Sequence, residues 1–190
     1  MCDGPECGFV WDWSLDNESL LVENMRGPLS TIDTLALRTR RRTGFLSSAK
    51  YALYQAKISP DGCWVAFAAG HGPESRLFIA PIHGGMPAPE TEWIAIADRQ
   101  GWSNKPRWSP DGNLVYFVSR RDGYYCLWAQ RVSLGTRQPL EAPFNVAHFH
   151  QSHLSMMNVA EAPLEISVAK DKIVFNLSEL TGNIWGGTIR

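Results

Sequence analysis

The chain predicts an all-β fold assembled from repeated antiparallel sheets, and three observations carry that expectation. The stretch "KISPDGCWVAF" at 57–67 returns as "RWSPDGNLVYF" at 107–117, and a recurrence of this length marks an internal repeat. The residues flanking each copy are rich in β-branched and aromatic types, which suit a pleated, half-buried surface. The shared "SPDG" is turn chemistry: proline presets φ, aspartate bonds the backbone two residues on, and glycine takes the positive φ. Each copy is therefore expected to be a hairpin, with Asp61, Gly62, Asp111 and Gly112 as structural turn residues.

Two weaker copies extend the pattern, "WDWSLDNESLLVE" at 11–23 and "EISVAKDKIVFNL" at 165–177. Aligning Ser14, Ser59, Ser109 and Ala169 gives spacings of 45, 50 and 60 residues, the length of a β-propeller blade. Third strands are expected at 30–38, 75–82, 124–132 and 182–189, and fourth strands at "TGFLSS", "WIAIAD" and near "FNVAHF". A blade is a four-stranded antiparallel sheet, so the last one is incomplete. The expectation is a single β-propeller domain over 1–190, with four blade units at about 9–50, 51–100, 101–160 and 161–190.

Bulk composition narrows the function classes. With 44% apolar residues the chain has material for a core, and a net charge of −1 supplies no overall field for nucleic acid or anionic membrane. The basic run "RTRRR" at 38–42 reads as a solvated loop. No apolar run approaches the ~20 residues needed to span a bilayer. The first ten residues lack the basic and apolar regions of a secretory signal, which leaves a cytoplasmic location as the default. Cys2 and Cys7 form a lone C-x4-C pair, a weak metal signal, whereas Cys63 and Cys126 are expected to pack as small hydrophobes.

The motifs "ISPDGCWVAF" and "WSPDGNLVYF", each followed by a glycine-containing turn and an apolar third strand, resemble the TolB-like, WD-type propeller repeats. The resemblance is strongest over 56–132. It implies protein–protein contact or sensor architectures, with a minority of catalytic or ligand-binding members, and a periplasmic location if the chain is part of a longer TolB-like protein. It also implies that the last blade is completed by an N-terminal strand. Either "MCDGPECGFV" closes a small four-bladed ring, or the chain is the C-terminal part of a longer propeller. The second reading is preferred, since the "TGNIWGGTIR" ending resembles a family terminus.

Candidate chemistry is sparse. No G-x-S-x-G elbow occurs, and no catalytic residue is assigned. His148, His150 and His153 in "HFHQSH" are the candidate metal ligands, because residues two apart on a strand share a face. Propeller enzymes resembling this family, such as oligogalacturonate lyases, hold metal through histidine. The alternative is a polar loop whose histidines bond the backbone. Trp102, with Arg99, Lys105 and Arg107 nearby, is the candidate ligand contact where a loop enters the third blade.

The function expected is a non-catalytic binding or scaffold propeller without cofactor. Its partner would be another protein or the chain's own upstream domain, or a second copy joined through open blade edges. The alternative is a metal-dependent lyase or hydrolase-type enzyme using the three histidines.

Overall fold

A computed structural model describes residues 8–71, 74–97, 101–150, 154–160, 163–179 and 181. The first blade is the sheet β1 (Val10–Trp13), β2 (Ser19–Asn24), β3 (Thr31–Ala36) and β4 (Arg42–Leu46), antiparallel and in chain order. The second comprises β5 (Ala52–Ile58), β6 (Trp64–His71) and β7 (Glu74–His83), with the fourth position split between β8 (Met86–Pro87) and β9 (Ile94–Ile96), both on β7. The third is β10 (Ser103–Trp108), β11 (Leu114–Ser119), β12 (Cys126–Arg131) and β13 (Phe144–Ala147). Short strands follow: β14 (Leu154–Ser155), β15 (Ile166–Val168), β16 (Ile173–Phe175) and β17 (Ser178–Glu179), pairing as β15 with β16 and β14 with β17. The expected last strand at 182–189 lies outside the described residues.

The turns repeat atom for atom. In the second blade Ser59 Oγ donates to Asp61 Oδ1 at 2.5 Å, the Cys63 amide donates to the same oxygen at 3.0 Å, and the Trp64 amide donates to Ser59 Oγ at 3.0 Å. Ser109, Asp111 and Leu114 repeat this set in the third blade, and Ser14, Asp16 and Ser19 in the first. Gly62 and Gly112 sit at φ of 72° and 71°, a region closed to most side chains. Asn17 fills that place in the first blade at φ 58°, as asparagine tolerates. Cys63 departs from expectation: it lies in the turn, before β6 begins, and is exposed.

Cores form between blades, not within them. Leu21, Ile32, Leu53, Val65 and Phe67 join the first blade to the second. Ala66, Ala68, Leu77, Ile79, Val115 and Phe117 join the second to the third. The alternation along β6, Val65 and Phe67 one way and Ala66 and Ala68 the other, is the period of a strand buried on both faces. Val118, Leu127, Met156, Leu164 and Ile166 continue the stack to the fourth unit.

The tryptophans show where the stack stops. Trp108 is buried, whereas Trp13, one repeat position before Ser14 as Trp108 is before Ser109, is 53% exposed. Trp13 pairs with Leu20, and Leu20 with Leu35. Leu21, next to Leu20, and Ile32, three residues before Leu35, face the second blade, so by strand alternation Trp13, Leu20 and Leu35 line the opposite face of the first blade. Among the described residues no blade covers that face.

Candidate functional site

The first strands of the units, β1, β5, β10 and β15, lie side by side and form the inner lining of the array. Each of the first three carries a register shift, between Val10 and Asp12, between Tyr54 and Lys57, and between Asn104 and Arg107. Bulges re-aim side chains. Gln55 and Lys105, each four residues before the turn serine, occupy left-handed φ of 59° and 58° and are buried.

The bulges place charges at matching positions on adjacent blades. Asp12 Oδ2 accepts from the Ile58 amide at 2.8 Å, and Lys57 Nζ donates to the Trp11 carbonyl and lies 3.5 Å from Asp12 Oδ1. Trp108 Nε1 donates to the Lys57 carbonyl at 3.0 Å. Arg107 Nε donates to the Ile166 carbonyl at 2.9 Å, and its NH2 pairs with Glu165. Lys105, only 1% exposed, reaches Glu165 Oε1 at 3.2 Å. The charges Asp12, Lys57, Arg107 and Glu165 thus form a belt across four units. Burial lowers the Lys57 pKa, helped by the Arg107 charge and opposed by Asp12. Burial likewise lowers that of Arg107, against Glu165.

Two cavities flank the belt. One of about 320 Å³ is lined by Asp12, Lys57 and Arg107 on the side of the Ser-Pro-Asp-Gly turns. The other, about 340 Å³, is lined by Trp11, Glu23, Tyr54, Gln55 and Lys105. Of the expected ligand contacts, Lys105 and Arg107 therefore belong to the belt. Trp102 packs on Tyr125 with centroids 4.9 Å apart, against the core between the third and fourth units. Arg99 lies outside the described residues.

The histidine cluster sits at the other end of the third blade. Leu127 pairs with Ala147 across β12 and β13, which brings Cys126, at the start of β12, beside the segment leaving β13. His148 and His150 meet Asp122 from the β11–β12 turn: Asp122 Oδ2 lies 3.1 Å from His148 Nδ1 and 2.9 Å from His150 Nε2, and the two ring nitrogens are 3.1 Å apart. Cys126 accepts from the Phe149 amide at 3.4 Å. Its thiol is pushed up to about 11 chiefly by burial. Desolvation raises the Asp122 pKa, but hydrogen bonds from His150 and the Tyr124 amide outweigh it and hold the carboxyl low. His153 lies outside the described residues. Asp122 and Cys126 were not legible as partners, because only the β12–β13 register joins them to the histidines.

A third arrangement also escaped the sequence. Arg137, in the loop after β12, is buried and lies over the Trp108 ring, 5.4 Å from its centroid. It donates to the Gly112 carbonyl at 2.7 Å and to Asp61 Oδ2 at 2.5 Å. The turn carboxylate of the second blade is thereby clamped to the third.

Comparison with solved structures gives relatives of the same architecture. A protein of Agrobacterium tumefaciens assigned as TolB is 17% identical, with a TM-score of 0.63 over 89% of this chain and 53% of that one. TolB from Acinetobacter baumannii is also 17% identical, with a TM-score of 0.62 over 88% of this chain and 37% of that one. A puromycin-hydrolyzing peptidase of Mycobacterium tuberculosis is 14% identical, with a TM-score of 0.53 over 68% of this chain and 22% of that one. This chain spans about half the length of the first and little over a third of the second. No family model matches the chain, and no curated protein matches it. What the likeness establishes is the fold, a β-propeller.

Proposed function

We propose that the chain is a non-catalytic binding and scaffold module, part of a larger TolB-like propeller, whose first blade docks against another blade. The observation that carries this reading is the open face of the first blade. Val10, Trp13, Leu20 and Leu35 share it, with Val10 and Trp13 more than half exposed. Apolar surface of this kind marks an interaction site. Its composition matches the faces that Leu21, Phe67 and Phe117 bury between blades, and the TolB structures extend well beyond the length matched here. The occupant assigned is therefore a further propeller blade, supplied by the longer protein or, in the isolated chain, by a second copy.

The inner belt supports a scaffold role. Its charges neutralise one another between blades, which fixes blade spacing and leaves Lys105 and Arg107 engaged with Glu165. Hydroxyl-radical footprinting across a concentration series tests the reading. Oxidation of Trp13 is expected to fall as concentration rises, while that of exposed Met86 on the second blade stays constant. Equal oxidation of Trp13 at all concentrations would contradict it.

A further inference from the structure

We propose that Asp122, Cys126, His148 and His150 form a four-ligand zinc site that staples the β11–β12 turn to the segment leaving β13. The four ligand atoms, one carboxylate oxygen, one sulfur and two ring nitrogens, all lie within 4.8 Å of one another. This is a borderline-soft donor set of the kind zinc takes. The site lies on the third blade and stands independently of the docking face on the first.

Geometry argues for a cation over a hydrogen-bond network alone. Asp122 Oδ2, His148 Nδ1 and His150 Nε2 form a triangle with edges of 2.9, 3.1 and 3.1 Å. Neutral imidazoles leave one edge of the triangle unfavourable in every tautomer: with a proton on each facing nitrogen both donate to Asp122 Oδ2 but the two N–H groups meet at 3.1 Å, and with a proton on only one the lone pair of the other faces the carboxylate. One cation above the triangle accepts all three lone pairs. Tetrahedral zinc with bonds of about 2.0–2.3 Å needs ligand edges of about 3.3–3.8 Å, slightly longer than these, so the rings need only small outward shifts.

Cys126 closes the set. It is fully buried at the start of β12, and the Phe149 amide already points at its sulfur. A thiolate and a carboxylate balance the two charges of the metal. On binding, the zinc aqua ion exchanges its waters for the four side chains, the thiol proton passes to solvent, and no redox change occurs. The rings are held from outside: Tyr124 stacks on His150 with centroids 4.4 Å apart, and the Trp128 and His148 rings meet edge to face at 5.9 Å.

The test uses the untagged 190-residue chain with Cys2→Ser, Cys7→Ser and Cys63→Ser, which leaves Cys126 as the only thiol and the site itself unaltered. Titration of the metal-stripped protein with Co²⁺ is expected to give a sulfur-to-cobalt charge-transfer band and intense tetrahedral d–d bands at one equivalent, both abolished by one equivalent of Zn²⁺. Asp122→Ala or His148→Ala is expected to weaken binding more than about tenfold, the least that loss of even an outer partner costs. His83→Ala, on the second blade, is expected to change nothing. A Cys126-only chain with no charge-transfer band, or with only the weak spectrum of octahedral cobalt, would overturn the proposal.

Discussion

Arg137 holds Asp61 across 76 residues of chain, its NH2 donating to Asp61 Oδ2 at 2.5 Å while its NH1 donates to the Gly112 carbonyl. One buried side chain thereby ties the Ser-Pro-Asp-Gly turns of two blades together. A charged hydrogen bond of this kind contributes about 1.5–3 kcal/mol. Arg137→Ala is expected to lower unfolding free energy by about 2–3 kcal/mol in urea titration, and Asp61→Asn by less. The double variant should fall short of the sum of the two, since both remove the same contact.

The same pair sets an acid limb to stability. Desolvation raises the Asp61 pKa, but the hydrogen bonds from Ser59 and the Cys63 amide, with the Arg137 guanidinium, outweigh it and hold the carboxyl below its ordinary value. The unfolded chain therefore binds this proton first as pH falls. The stabilisation is complete above the unfolded value of about 3.9 and is lost as pH drops through the folded one. The stability difference between wild type and Asp61→Asn is expected to be constant from pH 7 to about 5 and to shrink below that. A difference that stays constant to pH 2 would contradict the assignment.

Gly112 needs its positive φ. Gly112→Ala places a Cβ at φ 71° and 3.4 Å from an Arg137 nitrogen, and is expected to cost about 1–2 kcal/mol. Gly112→Asn should cost less, because Asn17 already serves the same turn at φ 58°. Thermal melts of the two variants check the ranking.

Two aromatic residues of the repeat should behave in opposite ways. Phe67 is fully buried between blades and contacts Trp93 edge to face at 4.7 Å. Phe67→Ala is expected to lose about 3–5 kcal/mol through transfer and cavity terms. Trp13 stands on the open face, and Trp13→Ala is expected to change the stability of the monomer by about 0.5 kcal/mol or less. Urea unfolding at low protein concentration compares them directly.

Much of the fold was legible because its signals are local. The hairpins follow from turn chemistry that Ser59, Asp61 and Gly62 complete within six residues, and the strands from the period-2 pattern that packs Phe67 and Ala66 on opposite blades. What escaped depends on how blades stack. Nothing in "LGTRQP" marks Arg137 as buried, since its partners Asp61 and Gly112 come from two other turns. The histidines drew attention by spacing, yet Asp122 and Cys126 join them only through the β12–β13 register. Trp13 and Trp108 read alike in sequence, and their exposures differ because among the described residues only Trp108 has a blade on its far side.

The central claim, that the first blade offers its open face to another blade, is tested most directly by absolute mass from light scattering across a concentration series, for wild type and Trp13→Arg. Wild type is expected to self-associate as concentration rises, and Trp13→Arg to remain a folded monomer over the same range. A wild-type chain that stays a monodisperse monomer at the highest concentration would contradict the claim.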